Sequence, residues 1–205
     1  DALPIYAKSK SRKRGIALVP LKFGISFTAT HLNQGGALLV IYMDGSVSCN
    51  HGGTEMGQGL NTKMAQVCAD GLGISVEKVR VTATDSQKVP NASATSASSG
   101  ADINGAAIMN ATMQMRERLK PVAARMLGCK PEEVSFANNA VHGGGQSVEW
   151  AALTKQAWLD RVGLSVTGFY MTPEIKYDFT TLNGRAFYYY CYGAAVSEVE
   201  IDTRT

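Results

Sequence analysis

The chain has 205 residues, 45% of them hydrophobic and 18% charged, which allows one ordinary globular domain or two small ones with a sizeable core. A net charge of +3 is too small to argue for nucleic acid, and no apolar stretch approaches the length that crosses a membrane. The basic block Lys8 to Arg14 lacks interleaved aromatics and reads as a solvated approach to a strand, so residues 1–13 are taken as a basic leading segment.

Gly15 to Phe27 reads as extended, with Ile16, Leu18, Leu21, Phe23, Ile25 and Phe27 as its apolar positions, interrupted at Pro20. Ala37 to Tyr42 is a strand, Asp44-Gly45 a two-residue turn, and Ser46 to Cys49 the returning strand. The hairpin delivers the chain into Gly52 to Leu60, which holds four glycines around Glu55, Met56 and Gln58. Leu60, Met64, Val67 or Cys68, and Leu72 then recur at helical intervals, so a glycine-rich turn empties into a helix from about Gly57 to Ala69, with Gly71 and Gly73 as its stop signals. A helix start of this kind offers N–H groups and partial positive charge to an anion. A tight strand-to-helix connection with no ligand accounts for the same glycines, and Glu55 reads as a brace that holds the turn through backbone amides rather than as a catalytic base.

Val79, Val81 and Ala83 alternate as a further strand. From Ala92 to Ala101 no side chain is larger than threonine, and the run feeds an amphipathic helix carrying Ile108, Met115, Leu119, Val122 and Met126. It is either a linker or a second place where an anionic group lies against backbone, with Ser and Thr capping the helix. Pro121 is expected to begin a second helical piece after a kink. A small hairpin turns at Asn138-Asn139, Gly143 to Gly145 form a loop, and Ser147 is a candidate cap for a helix carrying Trp150, Leu153, Trp158 and Leu159. Leu164 to Thr167 is a short strand, Met171 to Arg185 is irregular, and Ala186 to Ile201 supplies one or two strands with Tyr188, Tyr190 and Tyr192 on one face. Without a steady strand–helix alternation, these elements define an α+β fold with mixed or antiparallel sheets and packed helices.

Cys49, Cys68, Cys129 and Cys191 are far apart, give no zinc or iron–sulfur spacing, and read as reduced, mostly buried thiols of a cytoplasmic protein. His31, His51 and His142 are scattered and read as structural. The chain lacks an initiator Met, and its last strand stops three residues short of the terminus, so a piece of a longer protein is expected.

Several stretches in order resemble the molybdenum-binding part of the xanthine dehydrogenase and xanthine oxidase family. They are Lys22 to Thr28, Gly52 to Gly59, Val89 to Ser98, Gly168 to Pro173 and Tyr192 to Val199. The likeness runs from Arg14 to the end, and residues 14–205 are read as a partial molybdopterin-binding domain. Aldehyde oxidases share the Glu55 to Gln58 core, but the Phe27-Thr28 context is closer to the xanthine enzymes. The small-residue run and Gln34-Gly35-Gly36 look like the bacterial type.

The resemblance implies roles. Phe27 would lie against the purine ring, and Thr28 would hydrogen-bond the substrate. Met56 and Gly57 would contact the pterin through backbone. Gln58 would donate toward the metal's oxo group without ligating the metal. Thr95, Ser96, Ala97, Ser98, Ser99 and Gly100 would wrap the pterin and phosphate end, although Ser96, Ser99 and Gly100 stand where relatives carry other small residues. The catalytic glutamate of such enzymes, a general base, is expected downstream of this chain. A clamping arginine, a second phenylalanine and a second glutamate are expected upstream. The cofactor would be molybdenum–molybdopterin, joined in the intact enzyme by 2Fe–2S clusters, FAD and NAD, with a purine as substrate and the remaining modules as partners. No nucleic acid or membrane partner is expected. A non-catalytic anion- or nucleotide-binding module and a purely structural interface piece are the rival readings.

Overall fold

The structure is a computed structural model, which describes residues 10–89, 92–96 and 98–205. In chain order its elements are β1 (Arg12–Ile25), β2 (Gln34–Ile41), β3 (Val47–His51), α1 (Leu60–Leu72), β4 (Val79–Val81), α2 (Gly100–Leu127), β5 (Ser135–Ala137), β6 (Ala140–Gly143) and β7 (Gln146–Glu149). They continue with α3 (Trp150–Leu159), β8 (Ser165–Met171), β9 (Lys176–Asp178), β10 (Asn183–Arg185) and β11 (Tyr189–Asp202). The fold is α+β, and the described residues divide into two units, one of residues 10–25 with 187–205 and one of residues 26–186.

The larger unit is built on a four-stranded sheet in the order β4-β3-β2-β8, in which only the β3–β4 pair is parallel. Leu39, Ile41, Val47 and Cys49 of the sheet join Leu60, Met64, Cys68 and Leu72 of α1 and Ile108, Met115 and Leu119 of α2 in one buried core. Each large aliphatic side chain buried there contributes about 1.5–3 kcal/mol. Cys49 and Cys68 are both buried and free, and their mutual contact together with burial pushes the Cys68 thiol up, so it stays protonated. Cys129 is half-buried and Cys191 exposed, so burial holds for two of the four expected thiols.

Several local expectations change. The β2–β3 connection is a three-residue loop, because Tyr42 N–H donates to Ser46 O and Ile41 pairs with Val47; Gly45 takes the left-handed position that closes such a loop. Gly71 lies inside α1, where a Cβ would come within 2.5 Å of Thr112 Oγ1 of the crossing α2, and Gly73 alone ends the helix. Helix α2 runs on past Pro121 as one element of 28 residues. One lost hydrogen bond is outweighed there by burial of Leu119, Val122, Ala123 and Leu127. Ser147 belongs to strand β7, and Glu149 is the residue before α3, whose Trp150 is buried with its indole N–H donating to Gly45 O at 2.8 Å. The Asn138-Asn139 turn is as expected, with φ of 54° and 61°. The stretch read as irregular contains the short β9–β10 hairpin.

The smaller unit is the antiparallel ribbon β1–β11. Pro20 sits within it opposite Ala194, tolerated because a two-stranded ribbon has an outer edge on each strand. Arg12 and Arg14 pair across it with Glu198, Glu200 and Asp202, so the described part of the basic block is a solvated strand.

Candidate functional site

The turn between β3 and α1 is organised by three side chains. His51, buried at the end of β3, accepts a hydrogen bond from Gly53 N–H at Nδ1 and places Nε2 3.1 Å from Asn61 Oδ1. With Nδ1 already accepting, the neutral ring carries its proton on Nε2 and donates it to Asn61. Burial holds the ring's pKa below its ordinary 6.5, against the opposing pull of Asn61 and Glu55.

Glu55 folds back over the helix start. Its Oε1 accepts from Gly57 N–H and Gly59 N–H at 3.0 Å each, and its Oε2 from Asn61 N–H at 2.9 Å. These bonds, that from Asn61 foremost, pull its pKa below the usual carboxylate range. The expected role of Glu55 as a brace is therefore seen directly. The expectation of N–H groups offered to a bound anion at this helix end changes, because the chain's own carboxylate takes them. Gly57 and Gly59 have φ of 98° and 72°, the left-handed conformation that lets the turn curl around Glu55.

Gln58 closes the turn from the other side. Its Oε1 accepts from Met56 N–H at 2.6 Å and its Nε2 donates to Thr54 O at 3.0 Å. A second amide hydrogen remains on Nε2. The side chain is exposed and keeps one donor to direct outward.

Among the described residues, the small-residue run meets this turn at a hydrogen bond from Thr54 N–H to Thr95 Oγ1 at 2.8 Å. Thr84 Oγ1 adds a second strut by donating to Gly53 O at 2.7 Å. The described residues of the run form a loop that enters α2. Ser99 is buried and sits at the helix cap, but its hydroxyl donates back to Ser96 O at 3.1 Å, so the expected side-chain cap is not made. Ser98 adopts a φ of 53°, unusual for a residue with a side chain.

Between the two loops lies a cleft of about 490 Å³. Met56, Gln58, Leu60 and Lys63 form one wall, and Thr95, Ser96, Ser98, Gly100 and Ala101 the other. Six of the residues singled out from the sequence therefore converge here. Gly57 adjoins the cleft, and a Cβ on it would meet nothing within 4 Å, so the backbone is open to close approach. Ser99 lies beneath the surface, and Ala97 is outside the described residues. Phe27 and Thr28 do not line this cleft. They occupy a separate turn braced by Asn33, which donates through Nδ2 to Phe27 O at 2.9 Å and accepts from Phe27 N–H at 2.7 Å. Both are partly exposed. Lys63 was not singled out, although its spacing of three from Leu60 already places it on the same helix face.

Solved structures share this architecture. Quinoline 2-oxidoreductase from Pseudomonas putida 86 superposes with a TM-score of 0.80 at 22% identity, over 97% of this chain and 26% of that one. The aldehyde oxidoreductase from Desulfovibrio desulfuricans gives a TM-score of 0.69 at 19% identity, over 96% of this chain and 19% of that one. At these identities the likeness is one of fold.

Residues 4–205 match the family model of the molybdopterin cofactor-binding domain, and the chain belongs to that family. It is 45% identical over 194 residues to xanthine dehydrogenase of Oryza sativa subsp. japonica, covering 95% of this chain and 13% of the relative. It is 44% identical over 198 residues to xanthine dehydrogenase/oxidase of Gallus gallus, covering 97% and 13%. The chain thus spans about 13% of the length of these relatives.

Proposed function

We propose that this chain is part of a cytoplasmic xanthine dehydrogenase, and that in the whole enzyme it helps bind molybdopterin and the purine that is oxidised to urate. One observation carries the reading: the turn at Met56 to Gly59 and the loop at Thr95 to Gly100 are tied by the Thr54–Thr95 hydrogen bond and face each other across one cleft. The residues suit a bulky pterin. Open backbone at Gly57 permits close approach, and hydroxyls on the opposite wall offer donors to an anionic end. The bound group would supply the metal-centred hydroxylation chemistry.

This chain's own residues position and orient. Gln58, fixed by Met56 and Thr54, directs its remaining N–H outward as a donor beside the metal without ligating it. Phe27 would stack on the flat heterocycle and Thr28 hydrogen-bond it. The general base, the 2Fe–2S, FAD and NAD modules and the rest of the molybdenum domain are assigned to the remainder of the enzyme as its partners in purine catabolism.

In the full-length enzyme, Gln58→Ala should lower cofactor occupancy or turnover with xanthine while the fold stays intact. Unchanged molybdenum content together with unchanged kinetics would return this stretch to a simple turn. The isolated 205-residue chain should not turn over xanthine with dye acceptors, and detectable turnover would overturn that assignment of the base.

A further inference from the structure

We infer that Asn110, Gln114 and Arg118 of α2 form a guard that closes the outer edge of β8 to strand addition by a second copy of the protein. The inference is independent of the cofactor reading. Strand β8 ends the four-stranded sheet and runs for seven residues, Ser165–Met171, with neither a charge nor a proline among them. An edge strand of that composition is a template for another strand, and brevity, charge or proline are the usual protections. The opposite edge has two of these, since β4 is three residues long and carries Arg80 at its centre. Strand β8 has none of its own.

The backbone shows which groups of β8 face outward. Ile41 N–H donates to Leu164 O and Thr172 N–H to Asn33 O, so the even-numbered residues turn their polar groups toward the β2 side. Gly163, Ser165, Thr167 and Phe169 turn theirs to the open edge, and there they meet α2. Arg118 Nη1 donates to Gly163 O at 2.8 Å and to Ser165 O at 2.7 Å. Gln114 Nε2 donates to Thr167 O at 3.2 Å. Asn110 Oδ1 accepts from Phe169 N–H at 3.3 Å and from Gln114 Nε2 at 2.8 Å, which ties the stripe together. The three side chains stand four residues apart on one face of the helix, which runs antiparallel to the strand. Gly168 makes the reach possible. A Cβ there would collide with Ala107 O, so its absence lets α2 lie close enough for a side chain as short as asparagine to reach the edge. The stripe thus takes outward groups that a neighbouring strand would need, and guard and added strand exclude each other.

The test uses the full-length enzyme. In residue-resolved amide exchange of the parent, Phe169 N–H, held by Asn110, should exchange about tenfold more slowly than Thr167 N–H, which faces the same edge and meets no acceptor among the described residues. Asn110→Ala should remove that difference. Equally slow exchange at Ser165, Thr167 and Phe169 in the parent would overturn the inference, because an added strand protects the outward N–H groups together. The triple variant Asn110→Ala, Gln114→Ala, Arg118→Ala should sediment toward about twice the parent's mass as concentration rises. Adding Thr167→Lys to it should restore the parent's mass by placing a charge on the bare edge. A triple variant that sediments as the parent does would also overturn the inference. Should that variant fail to fold, the exchange comparison between the parent and Asn110→Ala decides alone.

Discussion

The starts of α1 and α2 border the same cleft and are both rich in small residues, yet they are finished differently. At α1 a carboxylate from the preceding turn satisfies three backbone N–H groups, and an amide side chain spans the same turn from Met56 to Thr54. At α2 the residue at the cap, Ser99, turns its hydroxyl back to Ser96 O and makes no cap to the helix. The first start is braced by its own side chains and internally neutralised, and the second presents hydroxyls and backbone to the cleft. A glycine-rich helix start is therefore not in itself an anion site. What decides is whether the chain already supplies the anion.

The largest effect on this contrast should come from Glu55→Ala. It releases the Gly57, Gly59 and Asn61 N–H groups together and leaves a turn with two left-handed glycines without its brace. Thermal unfolding should begin at a clearly lower temperature, and cofactor retention in the full-length enzyme should fall with it. Glu55→Gln keeps the shape and one acceptor oxygen and should recover part of both. A melting temperature unchanged in the Ala variant would show that the turn holds without the carboxylate, and the contrast between the two helix starts would dissolve.

A smaller loss is expected of Thr95→Val, which removes the oxygen that accepts the Thr54 N–H and so unties the two loops without emptying the space. The cost should be about 1 kcal/mol in a urea titration, the net worth of one such bond. Amide exchange at Thr54 should accelerate, while exchange in the α1 interior stays as it was. Faster exchange throughout α1 would mean that the two starts are a single cooperative unit.

Much of this arrangement was legible in the sequence. The spacing of Leu60, Met64, Cys68 and Leu72 placed α1, and four glycines around a carboxylate located the turn and the brace. The run from Ala92 to Ala101 marked the second wall, because nothing but small residues would leave that surface open. What could not be read was which donor met which acceptor. Whether Glu55 or a ligand would fill the α1 start depended on a side chain folding back onto backbone two to six residues ahead, and sequence spacing alone permits both. Gly71 looked like a helix stop because the crossing of Thr112 is a tertiary contact between residues 41 apart in the chain.

The smallest effect should appear with pH, through His51. Its pKa is lowered by burial, so the unfolded chain binds a proton more readily than the folded one between the ordinary value of 6.5 and the depressed folded value. Stability is therefore full above about pH 6.5 and is lost as pH falls through that window. The structural consequence is local. A protonated ring must donate from Nδ1, which now accepts from Gly53 N–H, so that bond breaks and the entrance to the glycine-rich turn loosens. The change stays modest because Asn61 and Glu55 favour the charged ring and offset part of the burial. Below the ordinary carboxylate value of 4.5 a second loss should set in as Glu55, whose pKa is also lowered, takes up a proton and releases the α1 start. Melting temperatures at pH 7.5 and 5.5 should fall further for the parent than for His51→Gln, which keeps a polar group but has no proton to gain. Equal falls would assign the titration to another group and leave the α1 turn insensitive to pH until Glu55 is reached.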